Sequence, residues 1–220
     1  MGSRPTEHVE TELKFEVGLN FVLPDLAGVA DGVVVTAPEV HLLAASYFDT
    51  ADLRLAKAGI TLRRRTGGAD AGWHLKLPVT AGTRRELQLP LGDEATTVPA
   101  PLASQLSTWV RDEPLQVVAV LETRRTVRRL TGSGGETLAE VADDAVTGRV
   151  SGRGDAPGEP ATWREIEVEL VAGGPEILAA AAARLAAAGA RPSSSASKLG
   201  RLLGERAAPE GAGGARRRLD

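Results

Sequence analysis

The chain has 220 residues, no cysteine and a formal net charge of −3. That length suits one domain at roughly 100–200 residues each, and no apolar run approaches the about 20 residues of a membrane span. Without cysteine there is no disulfide framework, thiolate zinc site or cysteine nucleophile, and the small negative charge excludes bulk attraction to nucleic acid or an anionic membrane.

Residues 1–6 are polar and expected to be disordered. Residues 8–17 then alternate, with Val9, Leu13, Phe15 and Val17 on one side and Glu10, Glu12, Lys14 and Glu16 on the other; period two predicts a strand. Pro24 to Val29 reads as a short helical turn and 33–36 as a strand piece. His41 to Phe48 is a strand, followed by a turn or helix cap at Asp49-Thr50 and a short helix over 51–57. Ile60 to Arg65 and Trp73 to Leu77 form a hairpin around the glycine-rich turn 67–72, and Arg84 to Leu91 is the next strand. Residues 100–111 read as a helix with Leu102, Leu106, Trp109 and Val110 on one face. Leu115 to Leu130 supplies one or two strands, and Thr137 to Val146 another across the turn 132–135. After a Gly/Pro-rich loop at 148–160 comes the alternating strand Thr162 to Val171. The Ala/Leu run Ile177 to Ala188 is a helix ended by Gly189, and Lys198 to Leu203 a last helical turn. The remainder, 205–220, reads as a disordered tail or linker. The sum is one α+β domain over 7–204 with about eight mostly antiparallel strands.

The polar faces of these strands are sorted by sign. Arg63 and Arg65, His74 and Lys76, and Arg124 and Arg128 give purely basic faces; Glu140 and Asp144, and Glu165, Glu167 and Glu169, give purely acidic ones. Like charges two residues apart share a face and repel, which a merely wetted sheet gains nothing from. A closed sheet that turns this face inward would instead enclose a charged cavity. Its arginines would bind phosphate oxygens bidentately and its lysines as point charges. Its carboxylates would suit a hard divalent ion. Only four of the 26 basic residues are lysines: Lys14, Lys57, Lys76 and Lys198.

Glu10-Thr11-Glu12-Leu13-Lys14 has the E-x-E-x-K pattern of CYTH domains, the triphosphate tunnel metalloenzymes. In family order follow Tyr47-Phe48-Asp49-Thr50, Leu62-Arg63-Arg64-Arg65, Trp73-His74-Leu75-Lys76 and Arg84-Arg85-Glu86. Next come the Arg124 strand, Glu140-Val141-Ala142-Asp143-Asp144, Glu165-Ile166-Glu167-Val168-Glu169 and Ser197-Lys198. The chain resembles that family over roughly 7–204. The resemblance implies a closed eight-stranded antiparallel β-barrel with flanking helices, a charged interior and a tunnel open at both ends. It implies phosphate binding by Lys14, Arg63, Arg65, Lys76, Arg84 and Arg124, and Mg²⁺ or Mn²⁺ on Glu10, Glu12, Asp144, Glu165 and Glu167. Lys198 and Glu12 would be catalytic, with Glu86, Glu140 and Glu169 in support. Arg124 and Arg125 are adjacent, as are Arg84 and Arg85, so a slip of one residue exchanges either pair. Tyr47 and Phe48 read as packing residues, His8 as incidental, and His74 as lacking an acid–base partner.

Three functions follow as expectations: a metal-dependent hydrolase of inorganic triphosphate or a related triphosphate or polyphosphate, a class IV-type adenylate cyclase, or a non-catalytic polyphosphate- or nucleotide-binding module. The cyclase needs a base pocket, for which a chain with seven aromatic residues has few stacking positions. Neither a nucleic-acid nor a membrane partner is expected, and the location is expected to be cytoplasmic. The resemblance also implies a helical CHAD domain as a neighbour in a longer chain.

Overall fold

The computed structural model describes residues 4–151 and 158–208. Eight strands carry the fold: β1 (Thr6–Val17), β3 (Glu39–Asp49), β4 (Thr61–Thr66), β5 (Gly72–Thr80), β6 (Thr83–Leu89), β7 (Gln116–Thr131), β8 (Thr137–Val150) and β9 (Ala161–Leu170). Two short strands, β2 (Val34–Val35) and β10 (Arg191–Pro192), attach to β7 and β1. Every pairing is antiparallel, in the order β1-β6-β5-β4-β3-β7-β8-β9, and β9 pairs back onto β1. β1 closes the ring by changing edge partners. Its first half, Thr6 to Thr11, lies against β6, and Glu12 to Val17 lie against β9. At the switch Glu12 N–H donates to the Gly82 carbonyl at 3.0 Å. The result is the expected closed eight-stranded barrel with flanking helices.

Alternation then decides what faces where. On the outside, Leu130, Val141, Ile166 and Val168 pack under α3 (Pro175–Ala187), which turns Ile177, Leu178, Ala181 and Leu185 toward them. A second outer cluster joins Phe48, Leu62, Trp73, Leu75 and Leu87 to Leu102, Leu106 and Val110 of α2 (Ala100–Val110). Trp109, expected on that buried face, is 38% exposed instead. Leu106 is fully buried, and truncation to alanine there costs about 2–5 kcal/mol.

The third cluster lies inside the ring. Ala45, Leu121, Val146 and Trp163 share the inward face with Tyr47, Asp144 and Glu165, and they meet Leu199 and Leu203 of α4 (Lys198–Leu203). Leu202 crowds Gly148, where a Cβ would approach its methyl groups to 3.0 Å. The segment 193–207 therefore caps this end of the barrel, whereas the resemblance implied a tunnel open at both ends. Ser197 caps α4, accepting from Gly200 N–H at 3.0 Å.

Local departures from the expected elements have local causes. Pro24 to Val29 is not helical, because the carbonyls of Asp25, Ala27 and Gly28 accept from the Arg184 guanidinium. The helix expected at 51–57 shrinks to α1 (Arg54–Lys57). Fully buried Asp49 accepts from the N–H groups of Thr50, Leu55 and Ala56, so it acts as the cap expected at Asp49-Thr50. β8 runs on to Val150, taking the start of the expected 148–160 loop. Of the expected tail, Gly204–Ala207 continues α4 as a 3₁₀ turn, and 209–220 lie outside the described residues, as do 1–3 and 152–157. No helix among the described residues is long and apolar enough to cross a membrane.

Candidate active site

The charged face of the sheet encloses a cavity of about 310 Å³, with Ser197 and Lys198 at the capped end and His8, Gln88 and Asp70 toward the open one. Lys14, Arg63, Arg65, Lys76 and Arg84 line it, as do Glu10, Glu12, Glu86, Glu140, Glu167 and Glu169. Asp144 and Glu165 lie just behind this lining, at 0% and 3% exposure.

One expected residue is elsewhere. Arg124 is exposed on the outer face, opposite Leu42 and Ala145. Arg125 takes the inward position, in register with Asp144. Neighbouring strand residues point to opposite faces, so the one-residue slip moves the inward-facing arginine from 124 to 125. Arg84 does face the cavity, while Arg85 points out toward Glu7 and Gln105.

The acidic wall comes from β1, β8 and β9. Lys198 Nζ lies 2.7 Å from Asp144 Oδ2, Glu165 Oε1 and Glu167 Oε1 alike. Arg125 grips Asp144 with two bonds of 2.8 and 2.6 Å and reaches Glu167 at 2.6 Å. Lys14 bonds Glu12 at 2.9 Å and also Glu167. Burial alone would raise the carboxyl pKa values. The nearby cations prevail, so Asp144 is held below its ordinary value and Glu167 well below. The same carboxylates overcome the burial penalty on Lys198 and hold its ammonium well above the usual lysine value.

This wall fits a hard cation on its own geometry. Asp144, Glu165 and Glu167 each offer a ligand atom, all within 4.8 Å of one another, and a lysine ammonium already sits among them. Glu165 Oε1 is buried without a hydrogen bond, because the Lys198 contact lies off the bonding direction; its other oxygen accepts from Trp163 Nε1 at 2.6 Å. Divalent Mg²⁺ and Mn²⁺ prefer such all-oxygen donors. His8, Glu10 and Glu86 form a second group of ligand atoms within the same spacing, near the mouth.

The basic wall comes from β4, β7 and the adjoining face of β3. Arg63 and Arg65 are largely buried, and each keeps a buried Nε with no hydrogen-bond acceptor. Burial, then the like charges of Arg63 and Arg125, lower the Arg65 pKa to about 9. Tyr47, fully within the cavity wall, receives a hydrogen bond from Arg63. Burial would raise its phenol pKa, but the Arg63 charge brings it below the ordinary value. Tyr47 thus packs in the inner cluster, as expected, and also lines the cavity. The signal was its phase with Arg63, its cross-strand partner. Phe48, one position on, does pack outside against Trp73.

Toward the mouth, Lys76 bonds Glu10 at 2.5 Å. His74 has the partner that sequence did not reveal, with Nδ1 2.8 Å from Glu86 Oε1 and Nε2 2.9 Å from the Asp70 carbonyl. Both partners are acceptors, so each contact is a hydrogen bond only when the ring nitrogen facing it carries the proton. His8, read as incidental, approaches Glu86 to 2.9 Å. Glu169 has no hydrogen bond or ion pair among the described residues, and burial, then Glu10, push its pKa up to about 7.

The site is thus a cavity inside a closed antiparallel barrel with opposed acidic and basic inner walls. Residues 8–202 match the model of the CYTH domain family, and the chain belongs to that family. An uncharacterized protein of Mycobacterium tuberculosis, found in two strains, is 44% identical over 211 residues, covering 91% of this chain and 41% of that protein. The chain thus spans about two fifths of the length of these relatives. Among solved structures, a Bacillus halodurans protein provisionally assigned as an adenylate cyclase is similar with a TM-score of 0.60 and 18% identity, over 90% of this chain and 98% of that one. A Pyrococcus horikoshii protein is similar with a TM-score of 0.50 and 16% identity, over 88% and 98%. At these identities the two share the fold.

Proposed function

We propose that this protein is a divalent-metal-dependent triphosphatase, cleaving the terminal phosphoanhydride of inorganic triphosphate or a close relative inside the barrel. The observation that carries the reading is a cavity lined on one side by Arg63 and Arg65, each with a buried Nε that has no acceptor, and on the other by Glu167 backed by Asp144 and Glu165. Burying such donors without acceptors costs about 1–3 kcal/mol each, a cost that a bound phosphate chain removes.

Arg63, Arg65 and Arg125 would bind the phosphate oxygens, with Lys14, Lys76 and Arg84 extending the positive surface. Guanidiniums placed before the reaction stabilise charge as it moves onto the leaving diphosphate. Asp144, Glu165 and Glu167 would hold Mg²⁺ or Mn²⁺, which when bound neutralises phosphoryl oxygens and acidifies water. In the unloaded site Lys198 holds its ammonium against Asp144, Glu165 and Glu167. Relieved of its carboxylates, its ammonium would instead fix the terminal phosphate at the capped end. Glu12 faces the cavity beside Lys14 and would orient the attacking water.

The name of the Bacillus halodurans structure suggests a cyclase. Such a reaction needs a nucleoside site, and among the described residues the cavity lining offers Tyr47, Val171 and the His8 ring as its large apolar or aromatic surfaces. A purely anion-binding module would have no use for the carboxylate cluster. The test is phosphate release from tripolyphosphate, ATP and longer polyphosphate, with Mg²⁺, with Mn²⁺ and with EDTA. Release from tripolyphosphate only with metal is expected; binding of all three with hydrolysis of none overturns the reading.

A further inference from the structure

Arg65 is 4% exposed, and its Nε meets no acceptor. Its one ion-pair partner among the described residues is Asp70, whose carboxylate touches Nη2. Asp70 belongs to the turn joining β4 and β5 at the open end, its side chain is 52% exposed, and it lines the cavity. A surface carboxylate thus reaches inward to a buried guanidinium of the basic wall.

The turn is held, and the Asp70 side chain is not. At Gly67, where φ is +78°, a Cβ would fall 2.0 Å from the Leu42 carbonyl oxygen, and at Gly72 it would fall 2.5 Å from that of Leu89. Only glycine allows these approaches, so both ends of the turn are pinned against neighbouring strands. Between them the Asp70 carbonyl is bound by His74 Nε2, whose ring is itself fixed by Glu86. By contrast, the Asp70 carboxylate has Arg65 as its one partner among the described residues and solvent on its other side. Rotation about its own side-chain bonds releases it without moving the turn, on the fast timescale of exposed rotamers.

We propose that Asp70 is an internal competitor for the anion subsite at Arg65, and that it lowers the affinity of the cavity for single phosphates and polyanions alike. The inference rests on reading the basic wall as the phosphate site. A tethered carboxylate has a high effective concentration at its guanidinium. An orthophosphate ion offers Arg65 little more than Asp70 does, and it must also displace a partner that is always present. A triphosphate chain contacts Arg63 and Arg125 as well, so it displaces Asp70 with binding drawn from the neighbouring positions. Apparent affinity falls by the fraction of molecules in which the subsite is free. The penalty is therefore the same for both anions, and it removes useful binding from the weaker one. The same competition favours expulsion of orthophosphate after cleavage.

The test compares wild type, Asp70→Asn and Asp70→Glu by calorimetric titration with orthophosphate and with tripolyphosphate, all in EDTA. Asp70→Asn is expected to bind orthophosphate at least tenfold more tightly, with tripolyphosphate tightened by a similar factor. Asp70→Glu, which keeps the charge, is expected to stay within threefold of wild type. The thermal midpoint of each variant checks that the half-exposed position leaves the fold intact. If wild type binds tripolyphosphate but Asp70→Asn binds both anions no more tightly, the competition is wrong and the site stands. If wild type binds tripolyphosphate not at all, the site reading fails and the competition with it.

Discussion

On the acidic wall each carboxylate of Asp144, Glu165 and Glu167 touches a cationic nitrogen of Lys198, Arg125 or Lys14. On the basic wall Arg63 and Arg65 bury Nε–H groups that meet no acceptor. The acidic wall is neutralised from within, whereas the basic wall keeps buried guanidinium N–H groups without acceptors. A desolvated, unpaired donor is costly where a paired one is not. Under the proposed function the asymmetry fits an anion as the larger component to be bound, with Lys198 keeping the carboxylate pocket in order until a cation arrives.

Breaking the acidic wall should have the largest effect. Lys198→Met leaves three buried carboxylates without their shared ammonium, and a loss of about 3–5 kcal/mol is expected from denaturant unfolding in EDTA. Mn²⁺ should restore much of that loss, and should stabilise the variant more than wild type. A variant as stable as wild type in EDTA would mean that the pocket is not held by Lys198. On the basic wall, Arg63→Ala should weaken tripolyphosphate binding by about 2–3 kcal/mol, roughly 30- to 150-fold, as expected for lost charge-assisted bonds, with smaller effects on folding.

Glu169 tests the mouth between the walls. Its carboxyl is raised to about 7 from an ordinary 4.5, so the folded protein holds that proton more tightly than the unfolded chain. This contribution is full below about pH 4.5 and is lost as pH rises through 7. Glu169→Gln should flatten stability between pH 5 and 8 in EDTA by roughly 2 kcal/mol; an unchanged profile would contradict the assignment. The smallest effect is expected at Arg124, where alanine should leave stability and tripolyphosphate binding within about 0.5 kcal/mol of wild type. Arg125→Ala should lose both.

Most of the barrel was legible because alternation and sign sorting are properties of single strands. Glu10 through Lys14 and Glu165 through Glu169 each show their inward face without reference to any other strand. What alternation cannot supply is absolute phase where both neighbours are charged. Arg124 and Arg125 are chemically identical, and only the register with Asp144 on β8 separates them. His74 and Glu86 are twelve residues apart, in strands whose pairing sets the contact, so no local pattern announces it. The cap on the barrel was hidden for a similar reason: Leu199 and Leu203 look like any helical turn until Gly148 and Trp163 are seen to receive them.

The most direct test is a crystal structure with Mn²⁺ and tripolyphosphate, the manganese located by its anomalous scattering. The account predicts manganese among Asp144, Glu165 and Glu167, the Lys198 ammonium displaced from them, and phosphate oxygens on Arg63, Arg65 and Arg125. Manganese confined to His8, Glu10 and Glu86, with Lys198 still held by its three carboxylates, would contradict it.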